Sequence, residues 1–494
     1  MRFSLVLSPF LLLTFFLFRP MLGSVWYPTH DTTHITRLYL MEQTIKNGQF
    51  PPIWAEGINQ GYGYPLFHFY APLLYYLALP IKLLTGSPFT ALKLVLFLSS
   101  FLSMVGMYYF VRRWGRGPAI FSALAFGTLP YFALNLYVRG AYAEFLSMSL
   151  LPWLFLVWEN LSSHRRQVLA AGVTALFLLS HNLIPLITAP FLLVWVILRQ
   201  AKHPQAVILP ALLTIMLSAF YLLPLLFERS FVQADAVAVT TDYALHFVSP
   251  TQLWNSAWGF GGSAQGIEDG MSFKLGKLLI LLSLSSLPLL FFRSRARPFM
   301  IFFVTSAIVA IFLTTFSSSY VWDQLKLLQI VQFPWRFLSL VGFFLSVLAG
   351  LSLTLIRHQF LQTVVLLVLL GALFLTNLKL FVPQTTLSAD LSRYTSPAYL
   401  STVAPIVPEY MPAWMLTPPS SPAGELARAY YPTWKVLIDG QVIPTAPSAE
   451  GYLTYPNPTN STDIKLIQFP TPLEKFSYLL TLVGLITLLI YVKI

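Results

Sequence analysis

Apolar runs of close to 20 residues recur along this chain and constrain its fold more than any other feature. A helix needs roughly 20 residues to cross about 30 Å of hydrocarbon, and most of these runs are bounded by Arg, Lys or Pro-containing turns, as spanning helices are. Composition agrees: of 494 residues 56% are hydrophobic and 10% charged, with a mean hydropathy of +0.69. A soluble globular protein carries roughly 25% charged residues. The fold class that follows is an all-α polytopic membrane protein.

The net charge of +12 does not indicate nucleic acid, because the basic residues sit in short clusters between apolar segments and not along one soluble face. The clusters are Arg112-Arg113 with Arg116, Arg165-Arg166, Arg199 with Lys202, Arg293 with Arg295 and Arg297, Arg357, and Lys493. The positive-inside bias places them in the cytoplasm. Two crossings and one outer loop then separate consecutive clusters: 118–137 and 145–161, 168–181 and 183–198, 206–227 and 275–292, 299–316 and 337–356, 361–380 and 475–492. Phe3–Phe18, between Arg2 and Arg19, has the length of a signal peptide or a spanning helix. The bulky Phe18-Arg19-Pro20-Met21 gives no cleavage site, so it reads as a retained anchor with its N-terminus in the cytoplasm. With Phe89–Val111 the count comes to about 12 crossings.

Parity sets Leu66–Leu84 apart. A full crossing there would put Arg112-Arg113 outside, and the stretch contains Pro72, Pro80, His68 and five aromatics, a profile suited to the interface. It reads as interfacial or re-entrant, the alternative being a thirteenth crossing. The expected domains are a transmembrane region over 1–380 with outer loop 20–88, an extracytoplasmic β-rich region over 381–474, and a final transmembrane helix over 475–494. In the β-rich region Ala427–Ile438, Val442–Thr445, Tyr452–Tyr455 and Asp463–Phe469 are rich in Val, Ile, Tyr and Thr, and Asp439-Gly440 is a hairpin signal. A small β-sandwich-like unit is expected. Asn460-Ser461-Thr462 matches a glycosylation acceptor and is read as a chance match.

Chemistry concentrates on the outer face. His30-Asp31-Thr32-Thr33-His34 follows the first helix and precedes an amphipathic one. An ionisable pair there would bring a base to a lipid head group. Equally, Asp31 with its two threonines could cap the helix ending near Lys46. His30 and His34 are four apart and would share a helical face, but without a third ligand in register no metal site is assigned. Arg139 and Glu144 in Tyr137-Val138-Arg139-Gly140-Ala141-Tyr142-Ala143-Glu144 are either a mutual ion pair or an anion site with Arg139 forked onto phosphate. His181-Asn182 is a hydrogen-bonded turn or a substrate contact. Arg336, in Gln332-Phe333-Pro334-Trp335-Arg336, opens a helix from the outer side, as an interface anchor or a phosphate ligand. Glu268 and Asp269 read as turn residues. The chain has no cysteine, so neither disulfides nor a Cys-based zinc site are possible. It also lacks a Walker A loop, GxGxxG after a strand, HExxH and GxSxG, which argues against nucleotide-driven chemistry.

The retained first helix, the Asp31 loop and the Gly48-Gln49-Phe50-Pro51-Pro52-Ile53-Trp54 turn resemble the GT-C superfamily of polyprenyl-phosphate-sugar glycosyltransferases. More closely, Tyr62-Gly63-Tyr64-Pro65, Arg139-Gly140 with Glu144, Ser180-His181-Asn182, Gln332 to Arg336, Glu409-Tyr410-Met411-Pro412 and Tyr431-Pro432-Thr433-Trp434 look like the bacterial membrane proteins labelled "6-pyruvoyl-tetrahydropterin synthase-related" and their YfhO-like relatives. The resemblance covers nearly the whole chain. A pterin synthase needs a zinc-bound His cluster in a soluble domain, which the sequence does not provide.

The GT-C resemblance implies transfer of a sugar from a polyprenyl-phosphate-linked donor to a glycan, lipid or protein acceptor at the extracytoplasmic face of the cell membrane. Asp31 would be the general base, and the substrate-binding candidates are His30, His34, Glu56, Arg139, Glu144, His181 and Arg336. Arg139 and Arg336 would hold the phosphate. Members differ in using a second acid or a divalent metal; here Glu56 and Glu144 are the possible second acids, and no cofactor is assigned. The alternative is a non-catalytic scaffold or lipid-linked glycan transporter with the same shape.

Overall fold

The computed structural model describes residues 2–234, 242–291, 297–406, 408–417, 419, 424, 427–457 and 461–493. Arg293, Arg295 and Asn460 lie outside them. The chain is mostly helical, with a small β region near the C-terminus, and among the described residues eight helices are long and apolar enough to cross a membrane. They are Pro88–Trp114, Arg116–Arg139, Leu183–Gln200, Pro204–Phe227, Arg297–Thr314, Pro334–Leu355, Gln359–Leu380 and Pro472–Tyr491. Shorter apolar helices run over Leu7–Met21, Leu73–Thr85, Tyr142–Val157 and Lys277–Leu290. The expected crossing at 168–181 is the helix His164–Ser180, capped by the Ser163 hydroxyl accepting from Arg166 N.

Two compact units divide the chain. The first comprises Met1–Thr32, Phe89–Pro210 and Asp242–Ala389. At its centre Arg116–Arg139 and Pro334–Leu355 are 94% and 89% buried, against 17% for Gln359–Leu380, which marks the latter as a peripheral helix. Apolar surface gains little from helix pairing when the solvent is itself hydrocarbon, so close backbone approach and interlocking shape have to supply the attraction. Both are visible. A Cβ on Gly350 would stand 1.9 Å from Ser122 Oγ and 2.6 Å from the Pro118 carbonyl, and one on Gly342 would meet Leu129 at 2.6 Å. Beside this contact Phe110, Phe155, Trp195, Phe303 and Phe343 interlock in stacked, tilted and edge-to-face pairs at 5.0–5.9 Å, geometries that satisfy the ring quadrupoles. The first helix is tied in by the Tyr137 hydroxyl, which donates to the Leu17 carbonyl at 2.6 Å.

The second unit comprises Thr33–Pro88, Ala211–Thr241 and Asp390–Ile494. Its helix His34–Lys46, expected as an amphipathic helix, has nine of thirteen residues buried. Leu66–Leu84 resolves into a turn of helix, Leu66–Phe69, and the helix Leu73–Thr85. Thirteen residues at 1.5 Å each reach only about 20 Å, short of the hydrocarbon thickness. The glycines of Gly61-Tyr62-Gly63 have φ of 92° and 68°, a region open to residues without Cβ. A Cβ on Gly63 would also run into Trp54 Nε1 at 2.3 Å. The last helix, Pro472–Lys493, packs on residues 211–227 through a hydrogen bond from Phe220 N to Thr481 Oγ1 (3.0 Å).

The β region is an antiparallel three-stranded sheet in the order Gln441–Ile443, Trp434–Ile438, Ile464–Gln468, with a separate ribbon of Ala446–Pro447 and Leu453–Thr454. Asp439 and Gly440, at φ 50° and 78°, make the two-residue hairpin turn, matching the left-handed pair a primed turn requires. Trp434, Val436 and Ile438 alternate inward as the period-2 pattern demands.

The helix contact in the first unit sets a test. Gly350→Leu should destabilise the detergent-solubilised protein by about 1–3 kcal/mol or more through overpacking. Gly371→Ala, where nothing lies within 4 Å of the added Cβ, should be neutral or stabilising by up to about 1 kcal/mol. Thermal unfolding followed by fluorescence-detected gel filtration distinguishes the two.

Candidate functional site

Local backbone chemistry builds the site in the first unit. The helix Pro130–Leu134 passes into a π turn over Asn135–Arg139 and stops at Gly140, whose left-handed φ of 67° closes the turn. Helix Tyr142–Val157 begins two residues later, with Glu144 in its first turn. Arg139 thus stands at a carboxyl end and Glu144 at an amino end, where the helix dipoles favour those charges. The preceding strand-like segment is laid against this turn. His30 N donates to the Val138 carbonyl (3.0 Å) and Asp31 N to the Arg139 carbonyl (2.9 Å), while the Thr29 hydroxyl donates to the Asp31 carbonyl (2.8 Å). A Cβ on Gly140 would strike Thr29 Oγ1 at 2.2 Å, so a glycine is required for this approach.

Tyr27 holds the segment in place from the other end. It is buried against Trp26 and Tyr137 and accepts a hydrogen bond from the Tyr142 hydroxyl at 3.0 Å. Burial first, then the neighbouring Tyr142 and Tyr137, pushes its phenol well above the ordinary tyrosine range, so it stays neutral.

The charged core is a clasp around Glu144. Oε2 accepts from Arg139 Nη1 at 3.0 Å and lies 4.0 Å from Arg336 Nε; Oε1 accepts from the Tyr131 hydroxyl at 2.5 Å and from Asn135 Nδ2 at 3.4 Å. Arg139 Nη1 also donates to Asn135 Oδ1 (2.5 Å) and Tyr131 (3.2 Å). Both guanidiniums lie over the indole of Trp335, at 4.3 Å for Arg139 and 5.9 Å for Arg336. The Trp335 indole N–H is buried with no hydrogen-bond partner among the described residues. Arg336 is carried by the 3₁₀ turn Pro334–Phe337 and donates to the Val331 carbonyl and to Gln332 Oε1 (3.5 Å). Gln332 itself adopts φ 66°, at a cost of roughly 1–2 kcal/mol for an L-residue. The Glu144 side chain is 1% exposed and those of Arg139 and Arg336 11% and 12%, so the carboxylate is sealed and the two arginine side chains are mostly buried around it.

His181 caps the helix Leu183–Gln200, with Nδ1 accepting from Leu183 N (3.0 Å) and Ile184 N (3.1 Å). An imidazole accepting at Nδ1 is neutral and carries its proton on Nε2. It lies within electrostatic range of Glu144, Arg139 and Arg336.

Of the residues singled out in the sequence, Asp31, Arg139, Glu144, His181 and Arg336 therefore belong to one neighbourhood, Asp31 through its backbone. His30 is exposed, its Nε2 3.0 Å from the Phe260 carbonyl. His34 and Glu56 belong to the second unit. There His34 Nδ1 meets the Tyr75 hydroxyl at 2.9 Å, and Glu56 pairs with Arg428 at 3.4 Å and accepts from Asn47 at 3.4 Å. The helix starts at His34, with Thr33 as its flanking residue, so His30 and His34 do not share a helical face. Glu268 is exposed, and Asp269 accepts from Ala264 N (2.8 Å) and Gln252 Nε2 (2.5 Å), as turn residues do. Sequence reasoning missed Tyr131, Asn135 and Trp335. The steps of four from Tyr131 to Asn135 to Arg139 were the available signal. It also missed His68, Glu228 and Glu474, which among the described residues form the one group of three His, Asp or Glu side chains close enough to share an ion.

A family of membrane proteins described as "6-pyruvoyl-tetrahydropterin synthase related domain" matches residues 67–382. No curated protein matches the chain. Among solved structures it is similar to the arabinofuranosyltransferase AftD from Mycobacteria (mutant R1389S), with 16% identity and a TM-score of 0.46 over 78% of this chain and 28% of that one. It is also similar to ArnT from Cupriavidus metallidurans bound to undecaprenyl phosphate, with 15% identity and a TM-score of 0.46 over 76% of this chain and 64% of that one. The chain spans less than two thirds of either.

The clasp predicts its own sensitivity. Glu144→Gln leaves two arginines sharing a neutral amide, and breaking a buried pair by removing one partner costs about 3–5 kcal/mol. Thermal unfolding should show a loss of that order, and Arg139→Gln, which keeps Glu144 beside Arg336, a smaller one.

Proposed function

We propose, for a chain that belongs to the membrane-protein family described as 6-pyruvoyl-tetrahydropterin synthase related, that it transfers a sugar from a polyprenyl-phosphate-linked donor to an acceptor at the extracytoplasmic membrane face. The observation that carries this reading is the pair of arginines around a sealed carboxylate, their side chains 11% and 12% exposed, with the Asp31 segment hydrogen-bonded to the backbone of Arg139. Two arginines and one glutamate leave one positive charge in excess, and the buried Trp335 N–H is a further donor awaiting an acceptor. An unmatched donor in such a place costs about 1–3 kcal/mol, which a phosphate oxygen would recover.

In the proposed reaction the Asp31 carboxylate takes the proton of the acceptor hydroxyl as its oxygen attacks the anomeric carbon. The bond from that carbon to the phosphate oxygen breaks, its electron pair stays with the phosphate, and configuration inverts in the single displacement. Arg139 and Arg336 stabilise the charge developing on the leaving oxygen. Glu144 keeps the guanidiniums aimed, and neutral His181 adds an Nε2 donor without competing for the proton. The reading draws on residues of the first unit alone. The charge pattern supports the outer face: Arg116–Arg139 begins beside the Arg112-Arg113 cluster and ends at Arg139, and Pro334–Leu355 ends beside Arg357 with Arg336 at its opposite end.

Purified protein assayed with a panel of polyprenyl-phosphate sugars tests it. Asp31→Asn should lower transfer by about 10²–10⁴-fold, the usual contribution of a general base, with donor affinity retained. Arg336→Ala should weaken donor binding as well. Equal transfer by wild type and Asp31→Asn, or equal inactivity while both bind the lipid, would instead favour a non-catalytic binder of lipid-linked glycans.

A further inference from the structure

The second unit holds a buried cluster that the proposed reaction does not use. His68 comes from the helical turn Leu66–Phe69, Glu228 from the residue after the helix ending at Phe227, and Glu474 from the first turn of the final helix. All three side chains are nearly closed to solvent, at 3%, 6% and 0% exposure. His68 Nε2 is 2.9 Å from Glu228 Oε2 and 3.3 Å from Glu474 Oε1, and one ligand atom from each residue lies within 4.8 Å of the others.

Three features separate this cluster from an ordinary ion pair. First, the charges do not balance: two carboxylates face one imidazole, and among the described residues neither carboxylate pairs with a Lys or Arg. Second, a single ring nitrogen cannot satisfy both acids, and Glu474 Oε1 is left buried with no hydrogen-bond partner among the described residues. Burying an uncompensated carboxylate is costly, and folds avoid it by pairing the charge, protonating the acid or ligating a cation; the geometry of the three ligand atoms favours the last. Third, the outward oxygens are fixed from behind. The Thr471 hydroxyl donates to Glu228 Oε1 (2.5 Å) and Thr471 N to Glu474 Oε2 (2.8 Å), which leaves Glu228 Oε2 and Glu474 Oε1 turned toward His68. That is the support metal-ligating carboxylates receive from groups behind them.

We infer that His68, Glu228 and Glu474 form a site for a divalent transition metal of the zinc type. Ligands 2.0–2.1 Å from a tetrahedral zinc stand roughly 3.3–3.4 Å apart, close to the spacing of the His68 and Glu474 atoms. One imidazole and two carboxylates suit zinc better than the all-oxygen cations magnesium and calcium. Three protein ligands leave a fourth position for water; a cavity of about 10 Å³, bordered by His68, Tyr76, Tyr221 and Tyr478 but by neither carboxylate, adjoins the imidazole. The ion would clamp the start of the final helix to elements 246 and 406 residues earlier in the chain, and so act on folding and stability independently of Asp31.

The test uses the full-length protein in detergent, stripped with chelator and titrated with zinc, with magnesium as comparison. Elemental analysis should find one zinc per chain, and zinc but not magnesium should raise the unfolding temperature. His68→Gln and Glu474→Gln should each weaken zinc binding by about 100-fold or more, while Asp31→Asn should bind as wild type does. X-ray absorption at the zinc edge of the wild type, which needs no variant to fold, should show a nitrogen and oxygen shell with a single imidazole. Absence of stoichiometric zinc, unchanged binding in both variants, or a shell with several imidazoles would each overturn the assignment.

Discussion

The clasp of Arg139 and Arg336 around Glu144 is the interaction on which the architecture of the first unit turns. A carboxylate sealed at 1% exposure in an apolar bundle persists only when charge and hydrogen bonds are supplied to it in full. Here they come from three stretches at once. Asn135 and Tyr131 lie one and two turns upstream of Arg139, which closes the π turn, and Arg336 arrives from the 3₁₀ turn about 190 residues further on. Meeting that requirement fixes where the two central helices end relative to each other. It also fixes the Gly140 turn on which the Asp31 segment rests. The close contacts at Gly350 and Gly342 serve the same helix pair, so packing and polar satisfaction specify one arrangement.

Membrane embedding made much of this legible. Because hydrocarbon forces each crossing to be long and apolar, spans at 89–111, 118–137, 183–198, 206–227, 299–316, 337–356, 361–380 and 475–492 could be read from the sequence and recur as helices with ends shifted by a few residues. The hairpin at Asp439-Gly440 was equally readable, since only a turn with two positive φ values suits that dipeptide between β-rich runs. Charged residues in an apolar sequence also stand out, and for that reason Arg139, Glu144, His181 and Arg336 could be named before their geometry was known.

What escaped the sequence shares one cause. Tyr131, Asn135 and Trp335 are ordinary residues of apolar helices and interface belts, and only their distances to Glu144 give them a role. His68, Glu228 and Glu474 are separated by 160 and 246 positions, far outside any local ligand motif, and their common feature is burial without a balancing cation. The helix His34–Lys46 shows the same limit of a one-dimensional pattern. Its Arg37, Glu42 and Lys46 suggest a solvated face, yet Arg37 is 1% exposed, its guanidinium stacked over Tyr70 at 4.0 Å, and Glu42 is buried in ion pairs with Lys82 and Lys46. A charge pattern predicts exposure only where no partner waits in the fold.

The proposed function rests on phosphate meeting the guanidiniums of the arginine clasp. Determining the structure of the protein with a polyprenyl phosphate bound tests that most directly. Phosphate oxygens are expected about 2.7–2.9 Å from guanidinium nitrogens of Arg139 or Arg336, with the Asp31 carboxylate facing the bound head group. A phosphate bound elsewhere, with both arginines still engaged only by Glu144 and its neighbours, would contradict it.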